Sequence, residues 1–291
     1  MKPRQPPRRF QPPLRPLAPH FRPLVLAVVH GCLPLLLRIR IFTWLPAGIS
    51  AVDVKGGDRL ARSFHRFGEG EIRLILAVRH CEVDDPLCGL WLLSRDLPRQ
   101  ASRLGLSITR PAHVHFLFDR GMPLWGGRPL GWVLSWLGGV SLRRGRQPDW
   151  TALRQARKLV LDGRFPFAVA PEGATNGHGE RIGPLEPGAA QLALWCMKDL
   201  NAAGRSEQVV IVPIGLRYAY RKPRWRRLEG LMMNLERSIG IGAPPGWDSG
   251  LGDGDAFGNR LTRILEALME RLQSCQGSFM SDTRPEGDGA R

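Results

Sequence analysis

The alternation of short apolar runs with helix-forming segments constrains the fold of this chain more than any other feature. Three runs have the length and composition of buried strands, and they cover residues 71–78, 165–170 and 209–214. Four segments have helical periodicity or helix-boundary residues, and they cover residues 86–96, 149–162, 187–203 and 256–274. This order predicts an α/β domain, in which ligand chemistry lies most naturally at strand ends.

The chain is strongly basic, and its positive charge is concentrated at the amino end. The 42 Lys and Arg residues against 26 Asp and Glu residues give a formal net charge of +16. Residues 1–52 hold eight of the basic residues and no acidic residue. A charge of this size favours a polyanionic partner: nucleic acid, an anionic membrane or a phosphorylated small molecule.

The amino end is predicted to be a tail followed by a membrane-associating segment. Residues 1–23 are basic and Pro-rich, which predicts a disordered tail. Residues 24–48 begin with an apolar run that is shorter than the about 20 residues of a spanning helix. With Arg38, Arg40 and Trp44 at the headgroup level, this run is predicted to form an interfacial helix. A buried soluble helix and a processed or spanning segment are the alternatives.

Three further segments complete the predicted organisation of the chain. Residues 49–245 form the principal domain, residues 246–275 a loop with an amphipathic helix, and residues 276–291 a disordered tail. The 5 cysteines are scattered and form no CxxC pair, so neither a disulfide framework nor a zinc site is indicated. This usage fits a reducing compartment, and we expect a monotopic or peripheral protein on the cytoplasmic face of a membrane.

An H-x4-D spacing follows the first predicted strand. His80 on a strand-to-helix loop is suited to act as a general base, and Asp85 can accept its other ring N–H and fix the tautomer. No protein nucleophile is needed if the base activates a hydroxyl of the substrate. The alternative is that Asp85 only caps a helix that starts at Pro86, and that His80 is a surface residue.

Four short stretches, taken together and in this order, resemble the motifs of the glycerophospholipid acyltransferase family, typified by the lysophosphatidate acyltransferases. The matching residues are His80 and Asp85, Gly138 through Arg144, Pro171 with Glu172 and Gly173, and Val212 with Pro213. The resemblance spans residues 50–220. It implies a glycerol-3-phosphate acyltransferase-like fold, with a mixed, mostly parallel sheet flanked by helices and preceded by the interfacial helical segment.

The resemblance also implies a reaction in phospholipid biosynthesis. An acyl group would pass from acyl-CoA or acyl-carrier protein to the hydroxyl of a lysophospholipid, without a metal or a bound cofactor. His80 would take the hydroxyl proton and Asp85 would orient His80. Arg144 would hold the phosphate of the acceptor, for which a guanidinium has the matching geometry.

The remaining residues of the motifs are expected to bind substrate. Glu172 would position the polar head of the acceptor or organise the loop around it. Gly173 would let the backbone approach the ligand. Gly138 and Pro213 complete the predicted substrate-binding set.

Departures from the family pattern weaken the expected phosphate site. The third motif continues with Ala174, Thr175 and Asn176, so a phosphate-binding arginine is missing at Thr175. Ser141 replaces a phenylalanine in the second motif, while Arg143 or Arg181 is placed to compensate. These departures motivate a second hypothesis, a catalytically weak, membrane-binding relative of the family.

Other features allow competing interpretations. Cys81 invites a Cys-His dyad, although neighbouring residues on an extended segment point to opposite faces. His113 and His115 suggest a metal pair without an evident third ligand. Residues 218–227 mix aromatic and basic side chains, which suits a membrane surface, a nucleic acid or a solvated loop. Because the ordered motifs and the amino-terminal segment favour a lipid, we expect an anionic membrane as partner and no nucleic acid.

Overall fold

The computed structural model describes residues 14–38, 48–145, 148–221, 224–242 and 254–281. Within this chain two compact units are distinguished, Met1–Tyr218 and Ala219–Arg291. The boundary between them falls inside the predicted principal domain 49–245. Several predicted features lie outside the described residues, namely the tail over residues 1–13, Arg40 and Trp44, the loop over residues 246–253, and the tail over residues 282–291.

A five-stranded sheet forms the centre of the first unit. Its strands are β1 (Ile72–Val78), β2 (His115–Asp119), β3 (Gly139–Leu142), β4 (Phe167–Val169) and β5 (Gln208–Ile214), in the order β3-β2-β4-β1-β5. The α/β class is confirmed, but the expected mixed sheet is not found, because every strand pair in the described residues is parallel. Helices connect consecutive strands and return the chain to the same edge each time.

Eight α-helices belong to the described part of this unit. They are α1 (Pro23–Arg38), α2 (Gly57–Gly68), α3 (Asp85–Trp91), α4 (Leu97–Arg103), α5 (Met122–Gly126), α6 (Arg128–Trp136), α7 (Trp150–Asp162) and α8 (Gly188–Ala202). A π-helical turn, Leu92–Asp96, joins α3 to α4. Pro98 follows this turn and has no N–H to continue a regular α-helical ladder.

The interior strand β1 is packed on both faces, and this fixes the position of the residues that follow it. Ile72, Leu74 and Leu76 pack in one cluster with side chains of α2 and α4. Ile75 faces the opposite cluster, which contains side chains of α7 and α8. The alternation follows from the two-residue period of a strand. The loop after Val78 is therefore held by a strand with packed layers on both sides.

The described amino-terminal segment is ordered by hydrogen bonds, in contrast to the predicted disorder of residues 1–23. The backbone N–H of Leu17 donates to Ser141 Oγ over 2.8 Å. The N–H groups of His20 and Arg22 donate to carbonyl oxygens at the end of α6, over 2.9 and 2.7 Å. This segment therefore lies along β3 and α6 before α1 begins.

Helix α1 has apolar side chains on two opposite faces. Leu26, Leu33 and Leu37 are buried. On the other face Leu24, Val28 and Leu35 are exposed, by 77%, 58% and 55%. We call these three residues the outer stripe of α1. No helix within the described ranges combines the length and the apolar character needed to cross a bilayer.

The second unit contains two described helices, α9 (Trp225–Ser238) and α10 (Gly254–Ser281). Their contact is formed by Met232, Ile239, Phe257 and Ile264. Glu236 and Arg260 form a buried ion pair beside this cluster, with Arg260 Nε donating over 2.7 Å. Helix α10 extends past the predicted helix end at residue 274 and into the predicted tail.

Candidate functional site

All five parallel strands end at one edge of the sheet, the carboxyl edge, and three predicted motifs follow strands there. His80 follows β1, Glu172 follows β4 and Arg144 follows β3. Strands β4 and β5 are the direct neighbours of β1. The segments that follow β1, β4 and β5 therefore lie beside one another. The candidate site is the part of the carboxyl edge around His80.

His80 and Asp85 form the pair that the H-x4-D spacing predicts. His80 Nδ1 and Asp85 Oδ2 are 3.0 Å apart. Asp85 Oδ2 also accepts the backbone N–H of Glu82 over 3.0 Å. That oxygen is an acceptor, so Nδ1 carries the ring proton and donates it, which leaves the lone pair of the neutral imidazole on Nε2. No described residue hydrogen-bonds Nε2, and the His80 side chain is 30% exposed.

The side chain of Asp85 forms a hydrogen bond with His80 and does not cap the helix that follows. Helix α3 begins at Asp85 itself, and Asp84 occupies the N-cap position without a side-chain cap hydrogen bond. The alternative in which Asp85 only caps a helix that starts at Pro86 is therefore wrong, because the helix begins one residue earlier. The Asp85 side chain is 3% exposed, so its position is set by the buried hydrogen bonds that it accepts.

Tyr218 completes the surroundings of Asp85, and the sequence analysis did not identify it. Its hydroxyl donates to Asp85 Oδ1 over 2.6 Å. Burial, followed by the hydrogen bond to Asp85, raises the pKa of the Tyr218 hydroxyl, which therefore remains a protonated donor. Tyr218 comes four residues after β5 ends, and β5 pairs with β1 along its length. This pairing is the only signal that points to it, and it is not visible in the local sequence.

The thiols next to the site are buried. Burial raises the pKa of Cys81, whose Sγ contacts the carbonyl oxygen of Leu216 at 3.5 Å. Burial also raises the pKa of Cys88, and its Sγ lies 3.6 Å from the Tyr218 hydroxyl. Cys81 therefore stays a thiol directed away from solvent, which disfavours a Cys-His dyad.

Glu172 organises a loop beside the site, which is one of the two roles predicted for it. Its side chain is 2% exposed and lies 3.6 Å from Arg79 Nε. Its Oε2 accepts the N–H of Gly183 over 3.0 Å and an N–H of the Asn176 side chain. Asn176 also donates to the carbonyl oxygen of Arg181 over 3.0 Å. Asn176, one of the departures from the family pattern, thus helps to close the loop.

Arg79 fixes the same loop from the position immediately before His80. Its guanidinium donates to the carbonyl oxygens of Gly179 and His178, each over 2.8 Å, and to that of Arg181. A single side chain therefore holds three carbonyl groups of the loop to the end of β1. The catalytic candidate His80 and the loop over residues 171–186 share this anchor.

Gly173 has a conformation that explains why glycine stands in this turn. Its φ is +72°, in the left-handed region that L side chains rarely adopt. A Cβ atom there would also meet the carboxylate of Glu186. The backbone N–H of Glu186 donates to the carbonyl oxygen of Pro171 over 2.6 Å, which closes the loop at its base.

The other predicted substrate-binding residues lie farther from His80. Arg144 Nε is 3.5 Å from Asp119 Oδ2, and both side chains are 43% exposed. Three strand spacings separate β3 from β1, or about 14 Å. Pro213 pairs in register with Ala77, near the carboxyl edge, on an outer strand where a missing N–H is tolerated.

Gly138 is not brought to the candidate site. It precedes β3 and so lies at the amino edge of the sheet, opposite His80. Its φ is +83°, and a Cβ atom there would lie 2.9 Å from His115 Nδ1. The structure thus assigns Gly138 to close packing against His115, and its predicted contact with substrate is not supported by this position.

His113 and His115 are buried packing residues in the same region. His113 Nε2 donates to the carbonyl oxygen of Leu137 over 2.7 Å, and His115 Nδ1 donates to that of Gly138 over 3.1 Å. Burial lowers the pKa of both, that of His113 to about 4. In the part of the chain that the structure describes, no group of three or more His, Cys, Asp or Glu side chains is arranged to hold a metal ion.

The arrangement at His80 is suited to one chemical task. An imidazole with a fixed Nδ1–H and an available Nε2 can remove a proton from a hydroxyl placed about 3 Å away. Asp85 then stabilises the imidazolium that forms.

Comparisons of this chain with models of protein families, with curated proteins and with solved structures found no match.

Proposed function

We propose that this protein is an O-acyltransferase that moves a fatty acyl group from a thioester donor to the hydroxyl of a lysophospholipid. The observation that carries the proposal is the His80–Asp85 pair at the end of β1, with Nδ1 engaged over 3.0 Å and Nε2 available. The resemblance of the ordered motifs to the glycerophospholipid acyltransferases supplies the reaction class. Acyl-CoA or acyl-carrier protein is the proposed donor.

The proposed reaction uses one proton acceptor and no covalent enzyme intermediate. His80 Nε2 takes the proton of the acceptor hydroxyl while the hydroxyl oxygen attacks the thioester carbonyl carbon. The tetrahedral intermediate then collapses, the carbon–sulfur bond breaks, and the proton on Nε2 passes to the leaving thiolate. Asp85 holds the ring in the required tautomer during both transfers.

The acceptor is proposed to carry a phosphate. Arg144 is exposed and its pairing with Asp119 is a surface ion pair, which contributes at most about 1 kcal/mol, so a phosphate can displace it. Arg143 and Arg181 are also exposed near the carboxyl edge. The absence of an arginine at Thr175 favours an acceptor that needs fewer phosphate contacts than lysophosphatidate.

A membrane is the proposed source of the acceptor and destination of the product. The outer stripe of α1 exposes three aliphatic side chains on one helix face. The net charge of +16 favours an anionic surface such as the cytoplasmic leaflet. Both features support a monotopic or peripheral association on the cytoplasmic side.

A transfer assay tests the proposed function. Purified protein is incubated with labelled acyl-CoA or acyl-carrier protein and a panel of lysophospholipids, alongside His80→Ala and the control His20→Ala, an exposed histidine. We expect transfer by the wild type and the control, and a loss of at least about 100-fold in His80→Ala. Equal transfer by the wild type and His80→Ala would contradict the proposal.

A catalytically weak, membrane-binding relative of the family is the second candidate. The observations that favour it are the missing arginine at Thr175 and the separation of Arg144 from β1 by two intervening strands. Binding to liposomes without any transfer in the same assay would favour this candidate. Selective binding to nucleic acid without affinity for liposomes would instead favour a basic nucleic-acid-binding protein, the least supported alternative.

A further inference from the structure

Tyr218 contacts Asp85 from a part of the chain that none of the motifs includes. We propose that Tyr218 is a positioning residue, which holds the Asp85 carboxylate in the orientation that fixes the His80 tautomer. This inference rests on the proposed function, because it assigns Tyr218 a role through His80 in acyl transfer. The residue touches neither substrate nor the reacting atoms in this scheme.

The two carboxylate oxygens of Asp85 have separate sets of partners. Oδ2 accepts from His80 Nδ1 and from the N–H of Glu82, each over 3.0 Å. Oδ1 accepts from the Tyr218 hydroxyl over 2.6 Å. Glu82 and His80 lie in the short loop that leads to Asp85, the first residue of α3, whereas Tyr218 reaches Asp85 from the segment after β5. Tyr218 therefore ties the catalytic loop to the neighbouring strand.

The direction of each hydrogen bond follows from the number of protons. The single Tyr218 hydroxyl proton is used toward Asp85, so the Cys88 thiol, 3.6 Å away, donates to the Tyr218 oxygen. Cys88 and Tyr218 thus form a chain of donors that ends on Oδ1. Such chains polarise one another and strengthen the terminal hydrogen bond.

Removal of the Tyr218 hydroxyl would leave Oδ1 without this partner in a buried place. Asp85 is 3% exposed, so water does not readily replace the lost donor. The carboxylate is then free to rotate toward other donors, and Nδ1 loses its fixed acceptor. The expected consequence is a mixture of His80 tautomers, of which only one presents the Nε2 lone pair.

The chain offers a matched control for this test. It contains only 2 tyrosines, and the second, Tyr220, is 91% exposed. Tyr218→Phe and Tyr220→Phe remove the same atom from neighbouring positions. For Tyr218→Phe we expect kcat to fall about 10- to 100-fold, with KM for both substrates unchanged. Tyr220→Phe is expected to behave like the wild type.

Histidine tautomers give a readout that does not depend on activity. In protein labelled with ¹⁵N-histidine, the His80 signals are identified by their absence in His80→Ala. We expect the Nδ1–H form in the wild type and in Tyr220→Phe, and both tautomers in Tyr218→Phe. A double variant, Asp85→Asn with Tyr218→Phe, is expected to lose no more activity than Asp85→Asn alone.

The outcomes distinguish the positioning role of Tyr218 from the proposed acyl transfer. If kcat and the His80 signals of Tyr218→Phe equal those of the wild type, the positioning role is overturned. If the wild type transfers no acyl group, the proposed function fails, while the histidine spectra still decide the role of Tyr218. If Tyr218→Phe does not fold, 3-fluorotyrosine in the Tyr220→Phe background labels Tyr218 alone. A ¹⁹F signal that Asp85→Asn leaves unchanged would then overturn the proposal.

Discussion

Two buried carboxylates beside the site have different partners, and this difference separates their roles. Glu172 is paired with the positive charge of Arg79, while Asp85 accepts hydrogen bonds from neutral groups. A buried ion pair fixes a geometry but leaves little net charge. The Asp85 carboxylate therefore remains available to stabilise the imidazolium that would form on His80 in the proposed reaction. The structure therefore supports Glu172 as an organiser of the loop, and Asp85 as the electrostatic partner of His80 in the proposed reaction.

Gly173 permits a test of the turn beside the site. Gly173→Ala should lower the free energy of unfolding by about 1–2 kcal/mol, because a non-glycine residue is disfavoured at a φ of +72°. Glu186 is exposed and can move away from the new methyl group, so the cost is chiefly conformational. Urea unfolding measures the change.

Two further substitutions separate conformation from bulk in that turn. Gly173→Asn should cost less than Gly173→Ala, although asparagine is larger, because asparagine tolerates the left-handed region. Gly188→Ala is the matched control, since a Cβ atom at Gly188 meets nothing within 4 Å and the residue begins a helix. A larger loss for asparagine than for alanine would show that crowding, and not φ, governs Gly173.

The buried histidine at position 113 predicts a pH dependence of stability. Burial lowers its pKa from 6.5 to about 4, so the folded protein keeps it neutral while the unfolded chain binds a proton below 6.5. The free energy of unfolding should therefore be highest above pH 6.5 and fall as the pH drops to about 4. His113 should contribute about 3 kcal/mol to this loss.

His113→Gln isolates that contribution. Glutamine retains a donor for the carbonyl oxygen of Leu137 but does not titrate. Urea unfolding of both proteins, from neutral pH down to about pH 4, should show a shallower loss for the variant. Parallel curves for the two proteins would assign the acid sensitivity to other groups.

The predictable and unpredictable residues of the site differ in the range of their contacts. His80 lies in the loop that leads to Asp85, so the pair was predicted from its local spacing together with the motifs that follow it. Tyr218 reaches Asp85 across 133 positions, a contact that only the pairing of β5 with β1 creates. Gly138 carried a motif-based prediction, but the start of β3 places it at the opposite edge of the sheet.

At the scale of elements, predictability followed the continuity of the apolar runs. Strands β1, β4 and β5 were predicted because runs of mostly apolar residues mark them, although Arg73 interrupts the run of β1. Strands β2 and β3 were missed because they include His115, Asp119 and Ser141, whose polarity interrupts the apolar pattern of a buried strand. The hydroxyl of the buried Ser141 is satisfied by hydrogen bonds with the backbone of Leu17, a residue distant in sequence.

Helix α1 has an exposed and a buried apolar face, and substitutions on the two faces should change different properties, namely liposome binding and stability. Serine substitutions of the outer stripe, Leu24, Val28 and Leu35, should weaken binding to liposomes, because they remove the exposed aliphatic surface. The free energy of unfolding should change little. Liposome flotation and urea unfolding measure the two quantities separately.

A substitution on the buried face of the same helix is the control. Leu33 is 0% exposed, and Leu33→Ala should lower the free energy of unfolding by about 2–5 kcal/mol through the cavity that it creates. Its effect on liposome binding at a temperature where the protein is folded should be small. Undiminished binding by the outer-stripe variant would place the membrane contact elsewhere.

At the scale of the whole molecule, charge and apolar surface should make separable contributions to membrane binding. The net charge of +16 predicts attraction to anionic vesicles, with about 1 kcal/mol for each basic residue near the surface. This contribution is screened by salt, whereas burial of the outer stripe is not. Binding to anionic vesicles should thus fall steeply as NaCl is raised and level off at a residual affinity.

The outer-stripe variant and vesicle composition resolve the two contributions in one titration. Neutral vesicles should bind the wild type with only the residual affinity and with little dependence on salt. The outer-stripe variant should keep the salt-dependent part on anionic vesicles and lose the residual affinity, because its charge is unchanged. If salt abolishes all binding of the wild type, the apolar face of α1 does not enter the membrane and attachment is purely electrostatic. That result would restrict the proposed acceptor lipid to one that reaches the carboxyl edge without insertion of α1.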